Sequence, residues 1–131
     1  MRILVTGSTG VIGGQVISQL NALGGKDLDI RALTRDPAKA STAGTFQANV
    51  TPVAGDLTQI DAMRAAMRDI DALFLLAPNA ADEVTQAIQA SNVAREAGVK
   101  GNAHLLVFGA AAHSNAPHLI GKRAVEQIGR P

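Results

Sequence analysis

At 131 residues the chain is long enough for one globular domain with a real core, and residues 1–131 are read as that single domain. A net charge of +1, with acids and bases spread along the chain, offers no basic stripe or acidic tail, so nucleic-acid and membrane partners are not expected. Cysteine is absent, which excludes disulfides, thiolate metal sites and cysteine nucleophiles; Trp and Tyr are absent too, leaving Phe46, Phe74 and Phe108 in an otherwise aliphatic core.

The first strand is expected at Arg2 to Thr6, directly after the amino terminus, which leaves no room for a signal segment. No apolar run approaches the roughly 20 residues needed to span a bilayer, and the cytoplasm is the expected compartment. A helix follows in which Ile12, Val16, Leu20 and Leu23 form one apolar stripe, stopped by Gly24-Gly25. The second strand runs from about Asp29 to Thr34, and Asp36-Pro37 opens a short helix that dissolves into Ser41-Thr42-Ala43-Gly44. The third strand, about Asn49 to Ala54, contains Pro52, which cannot donate to a ladder and belongs on a sheet edge.

Thr58 and Asp61 have the spacing of a capping box, and Ile60, Met63, Met67 and Ile70 then recur at helical period. The fourth strand, Ala72 to Leu76, is apolar on both faces, as a central parallel strand should be. A long helix is expected from about Ala81 to Ala97 with Gly98 as its cap, a fifth strand at His104 to Phe108 and a last helix at about His118 to Ile128. Strands alternating with helices predict an α/β fold: a Rossmann-like doubly wound parallel sheet of about five strands in the order 3-2-1-4-5, with the proline strand at one edge.

The turn Gly7-Ser8-Thr9-Gly10-Val11-Ile12-Gly13 joins the first strand to the first helix. Glycines there let the backbone approach a pyrophosphate and aim the helix N-terminus at it. The spacing is G-x-x-G-x-x-G rather than G-x-G-x-x-G; its position after a strand and before an amphipathic helix favours a dinucleotide ligand over a merely tight turn. The second strand ends Ala32-Leu33-Thr34-Arg35, with no acid for a ribose 2′-hydroxyl and with a planar guanidinium suited to a 2′-phosphate. NADP is therefore favoured over NAD, with Arg35 as a solvated surface charge as the alternative, Asp36 as a complication and Lys39 as a second candidate.

The segments Val5 to Gly10, Leu33 to Pro37, Gly55 to Thr58, Asp71 to Pro78 and Ala94 to Lys100 together resemble the NmrA-like branch of the atypical short-chain dehydrogenase/reductase family, over essentially the whole chain. That branch includes NAD(P)H-dependent quinone reductases and redox-sensing regulators. The resemblance implies that Asp56 borders the adenine with Leu57 packed beside it, and that Ala77, Pro78 and Asn79 face the nicotinamide half. Read without the family, Asp56 is a loop or helix-start charge.

Reductases of the wider family pair a tyrosine with a lysine four residues later, the lysine lowering the phenol pKa for proton delivery. This chain has no tyrosine; His118-Leu119-Ile120-Gly121-Lys122 stands at that spacing, and Phe108-Gly109-Ala110-Ala111 replaces the expected serine segment. Lys122 is a candidate for holding the nicotinamide ribose, and His118 either supplies a proton or caps the last helix after Pro117. His104 and His113 read as non-ligands, because three scattered histidines supply no metal site, and Ser114 has no evident base for hydrolysis.

Family members continue past the position of Pro131 into a sixth strand and a small substrate region, so the chain is expected to hold the cofactor half of such a protein, with strand 5 an edge that favours a homo-oligomer or a covering partner. Two functions follow. One is an NAD(P)H-dependent oxidoreductase acting on a quinone-like or other small acceptor; the other is a non-catalytic dinucleotide-binding redox sensor.

Overall fold

The computed structural model describes residues 1–24, 27–42, 46, 49–78 and 80–105. Five strands, β1 (Arg2–Val5), β2 (Asp29–Thr34), β3 (Val50–Ala54), β4 (Ala72–Leu75) and β5 (Gly101–His104), alternate with four helices, α1 (Val11–Gly24), α2 (Pro37–Thr42), α3 (Ile60–Ala66) and α4 (Glu83–Glu96). The strands form one parallel sheet in the order β3-β2-β1-β4-β5. Pro52 lies on the edge strand β3, opposite Ala32, where its missing N–H leaves no gap in an interior ladder.

Helices cover both faces and divide the core in two. Ile3, Val5, Ile17, Ile30, Ala32 and Val50 pack under α1, whereas Leu4, Leu33, Leu73 and Leu75 pack under α3 and α4 with Met63, Met67, Ala90 and Val93. The alternation along β1 sends Ile3 and Val5 to one face and Leu4 to the other, as the two-residue period of a strand requires.

The apolar stripe of α1 differs from the expected one. Ile17 is buried, with Val16 and Leu20 packed beside it, while Leu23 is 83% exposed and Ile12 faces the carboxyl end of the sheet. Gly13 must face the glycine turn, because a Cβ there would overlap the Gly7 carbonyl oxygen. That requirement rotates the helix so that positions 13, 16, 17 and 20 point inward. Burying one isoleucine at this interface contributes on the order of 1.5–3 kcal/mol.

The start of α3 differs as well. Thr58 and Asp61 form no capping box; the N-cap is Gln59, which makes no side-chain capping bond. Asp56 takes over the turn, its Oδ1 accepting from the Thr58 N–H at 2.8 Å and hydroxyl at 2.7 Å while its carbonyl accepts from Gln59 N–H at 3.0 Å. Thr58 lies one residue too early, so its hydroxyl is consumed before the helix begins.

Strand β5 begins three residues before its expected start. The Asp71 carbonyl accepts from both Lys100 and Gly101 N–H groups at 3.0 Å, which starts the parallel ladder with Gly101 opposite Ala72. Gly-Asn-Ala-His has little apolar character, so the pairing is dictated by β4. Residues 106–108, the last helix at His118 to Ile128, and His113 and Ser114 lie outside the described residues. Among the described residues no helix is long and apolar enough to cross a membrane.

Helix α4 ends in a Schellman motif: Val99 N–H donates to the Ala94 carbonyl at 3.0 Å and Gly98 N–H to the Arg95 carbonyl at 3.1 Å, with Gly98 at φ +74°. A Cβ on Gly98 would meet nothing within 4 Å, so the cost of adding one is conformational alone. Gly98→Ala is expected to destabilise the domain by about 1 kcal/mol in urea denaturation with an unchanged m-value; equal stability would show that this end of the helix does not hold its left-handed turn.

Candidate functional site

The carboxyl ends of the strands are held in place by two buried hydroxyls. Thr6 follows β1; its Oγ1 donates to the Leu76 carbonyl at 2.9 Å and accepts from Leu76 N–H at 2.8 Å, tying β1 to β4 where the strand order reverses. Ser8 is also buried, and its Oγ donates to the Leu33 carbonyl at 2.7 Å, tying the glycine turn to the end of β2.

Between these ties the chain turns tightly. Gly7 has φ +60°, and a Cβ on it would come within 2.9 Å of Leu76 Cδ2. Gly10 N–H donates to the Gly7 carbonyl at 3.0 Å and Gly14 N–H to the Gly10 carbonyl at 2.9 Å as α1 starts. A Cβ on Gly13 would overlap the Gly7 carbonyl oxygen and lie 2.6 Å from its carbon, so backbone rests on backbone here. The unpaired N–H groups of the first turn of α1 therefore face the crevice at the strand ends, where an anion is favoured.

That crevice is a cleft of about 790 Å³, within the size range of small-molecule and cofactor sites. Thr6, Gly7, Thr9, Gly10 and Ile12 form its centre; Leu33, Thr34, Arg35 and Gly55 to Thr58 form one side; Leu76, Ala77, Pro78 and Leu105 form the other, with Gln86 of α4 in its wall. Arg35 is exposed and has no hydrogen bond or ion pair among the described residues, which leaves its guanidinium available to a ligand. The Asp56 carboxyl is held below the usual aspartate range, first by the Thr58 N–H, then by the Thr58 hydroxyl, with burial opposing and the charge of Arg35 assisting.

The cleft brings together Gly7, Thr9, Gly10, Ile12, Arg35, Asp56, Leu57, Ala77 and Pro78 from the expected site. It does not take in Ser8, Val11 or Gly13: Ser8 and Gly13 are buried behind the turn, and Val11 is exposed at the start of α1. These residues shape the cleft from behind. Lys39 is exposed on α2, where its N–H donates to Asp36 Oδ1 at 2.9 Å. Asn79, His118 and Lys122 lie outside the described residues. Among the described residues no group of three or more His, Asp or Glu could hold a metal ion.

Sequence reasoning missed Thr6, Leu33, Thr34, Gly55, Thr58, Leu76, Gln86 and Leu105 as cleft residues. For Thr6, Thr34, Leu76 and Leu105 the signal was position, since residues at the carboxyl ends of parallel strands meet at the crevice. For Gln86 the signal was a polar residue on the buried stripe of α4.

Two measurements check this geometry. Gly13→Ala is expected to destabilise by about 1–3 kcal/mol or more through the forced backbone shift, whereas Gly14→Ala, whose Cβ would lie 3.9 Å from the Ser8 carbonyl oxygen, gains helix propensity and is stabilising by about 0.5–1 kcal/mol; equal effects would refute the backbone contact. An NMR titration is expected to place Asp56 below the ordinary 3.8, with Thr58→Val moving it part of the way back up. Because the folded value is the lower one, Asp56 stabilises the fold above pH 3.8 and loses that contribution as pH falls through the folded pKa; no movement in Thr58→Val would show that the hydroxyl does not hold the carboxylate.

Known proteins share this architecture. An NAD(P)H azoreductase from Xenophilus azovorans is 34% identical over 121 residues, which is 92% of this chain and 40% of that protein. The crystal structure of a Citrobacter sp. triphenylmethane reductase complexed with NADP(H) superposes with a TM-score of 0.86 at 30% identity, over 99% of this chain and 45% of that one. An NADPH-dependent quinone oxidoreductase from Escherichia coli, complexed with NADPH, gives a TM-score of 0.78 at 26% identity over 96% of this chain and 44% of its own. The chain thus spans less than half the length of these relatives. The sequence profile of the NmrA-like family matches residues 1–127, and the chain belongs to that family.

Proposed function

We propose that residues 1–131 act as one dinucleotide-binding unit of an NAD(P)H-dependent oxidoreductase, with NADP(H) preferred over NAD(H) and a quinone-like or other small acceptor as the second substrate. The observation that carries this reading is the junction at the sheet's switch point: a glycine turn whose backbone contact tolerates no side chain opens α1 onto a cleft with Arg35 at its β2 side. Relatives whose names record NADP(H), NADPH or NAD(P)H support it.

In this reading the free N–H groups of the first turn of α1, which begins at Val11, hold the pyrophosphate. Arg35 supplies a planar cationic fork to the 2′-phosphate, Asp56 and Leu57 border the adenine, and Ala77, Pro78 and Asn79 flank the nicotinamide half. A nicotinamide held there would bring hydride-transfer chemistry to an acceptor. The chain's own contribution is orientation and exclusion of water by the apolar residues Ile12, Pro78 and Leu105, with Lys122 as the candidate for holding the nicotinamide ribose and His118 as the candidate proton donor.

A second reading, a non-catalytic redox sensor that binds the dinucleotide, is favoured by one observation: the sequence contains no tyrosine. Either reading includes a cytoplasmic setting, supported by the cysteine-free composition. Both also include a second copy or a partner along the outer edge of β5, which has no neighbouring strand among the described residues.

Titration of the purified chain with NADPH and NADH, followed by quinone- and azo-dye-dependent oxidation of whichever binds, tests the proposal. Turnover supports the enzyme, binding without turnover supports the sensor, and no binding of either dinucleotide overturns both. Arg35→Ala is expected to weaken NADPH by about tenfold to a hundredfold, as a lost charged hydrogen-bonding partner would, with NADH unchanged; equal loss for both would show that Arg35 does not select the 2′-phosphate.

A further inference from the structure

Pairing between β1 and β2 ends with Val5 opposite Ala32, whereas pairing between β2 and β3 continues to Thr34 opposite Ala54. The Leu33 carbonyl therefore has no strand neighbour on the β1 side and needs a donor from elsewhere. Ser8 supplies it: the residue is 1% exposed, and its hydroxyl donates to that carbonyl at 2.7 Å. On the opposite side the next carbonyl, that of Thr34, accepts from Gly55 N–H at 3.0 Å. Two successive peptide groups at the end of β2 are thus anchored in opposite directions, one by the glycine turn and one by the end of β3.

The residues that follow are fixed in turn. Asp36 N–H donates to the Thr34 hydroxyl at 3.3 Å, closing a turn over Arg35, and Asp36 Oδ1 accepts from Lys39 N–H at 2.9 Å where α2 begins. Arg35 stands between these ties, exposed on the cleft and with no hydrogen bond or ion pair among the described residues. Its backbone is held on both sides while its guanidinium is left to a ligand. A fork held in this way loses less freedom on meeting a phosphate and keeps the alignment that two parallel hydrogen bonds require. A displacement of the corner by more than about 0.5 Å spoils that alignment. The first turn of α1 is not displaced with it, because the contact of Gly13 on the Gly7 carbonyl holds the glycine turn independently of the Ser8 hydroxyl.

We infer that Ser8 is a positioning residue for the choice between NADP(H) and NAD(H): from behind the cleft its hydroxyl holds the corner from which Arg35 meets the 2′-phosphate, and the Thr34 hydroxyl holds the far side of the same corner. The inference rests on the dinucleotide reading proposed above and assigns the cofactor preference of that site to a residue that lies outside the cleft.

The test uses Ser8→Ala and Thr34→Val, each alone and each combined with Arg35→Ala, in the purified chain, with the affinities for NADPH and NADH measured by fluorescence titration. Ser8→Ala is expected to lower the preference for NADPH over NADH by about fivefold to tenfold, as a misaligned charged hydrogen bond would. Thr34→Val keeps the shape of the side chain, removes the tie to Asp36 and is expected to act in the same direction. With Arg35→Ala already present, neither change is expected to lower the preference further, because the group being positioned is gone. If Ser8→Ala does not fold, Thr34→Val decides alone.

A merely structural role predicts otherwise. Equal losses for NADPH and NADH, or a preference that falls further when either change is added to Arg35→Ala, would overturn the inference and leave the dinucleotide reading intact. NADPH binding no tighter than NADH in the unaltered chain would overturn the NADP(H) preference together with this inference, and binding of neither would overturn the whole reading.

Discussion

The contact of Gly13 on the Gly7 carbonyl governs much of this domain, because backbone packed on backbone leaves no freedom in how α1 leaves β1. With that contact made, the azimuth of the helix is set: Val16, Ile17 and Leu20 must turn to the sheet and Leu23 to solvent. The same contact places the first turn of α1 against the strand ends. One steric constraint thus reaches both the packing of a whole face and the position of the groups available to an anion.

Around that contact the cleft is formed before any ligand arrives. Thr6 bridges β1 to β4 by two hydrogen bonds and Ser8 anchors the turn to β2, so each of the three central strand ends is fixed to its neighbour by a buried side chain. Buried hydroxyls with good partners are worth keeping, because their desolvation is offset only when the geometry is maintained. The polar groups left facing the cleft are few: Thr9, Thr34, Arg35, Asp56, Thr58 and Gln86 stand among apolar walls, as in sites that orient a ligand by a small number of directed contacts.

The comparisons place this architecture within a larger one. The described strands and helices superpose on NADP(H)-complexed and NADPH-complexed reductases over nearly all of this chain and less than half of theirs. What the shared portion contains is the glycine turn, the β2 end and the β3 end, the parts of a Rossmann-type fold that meet a dinucleotide. Asp56 shows how a residue can serve fold and site together. Its carboxylate organises the turn into α3 through Thr58 and, by remaining charged, presents an acceptor to the cleft.

The α/β class, the strand order, the edge position of Pro52 and the glycine turn with Arg35 can be read from the residues alone, because these follow from local period, from proline's missing donor and from spacing along one βαβ unit. The inward face of α1, the start of β5 and the cap of α3 cannot. Each was settled by a partner distant in the chain or by competition for one hydroxyl: Gly13 against Gly7, Gly101 against the carbonyl of Asp71, and Thr58 captured by Asp56. Gln86 belongs to the same group. On paper it is a polar residue within a helix, and only the packing of α4 against α3 and the strand ends buries it in a cleft wall. Local chemistry sets which elements form, whereas contacts between distant residues decide which atoms those elements turn toward a ligand.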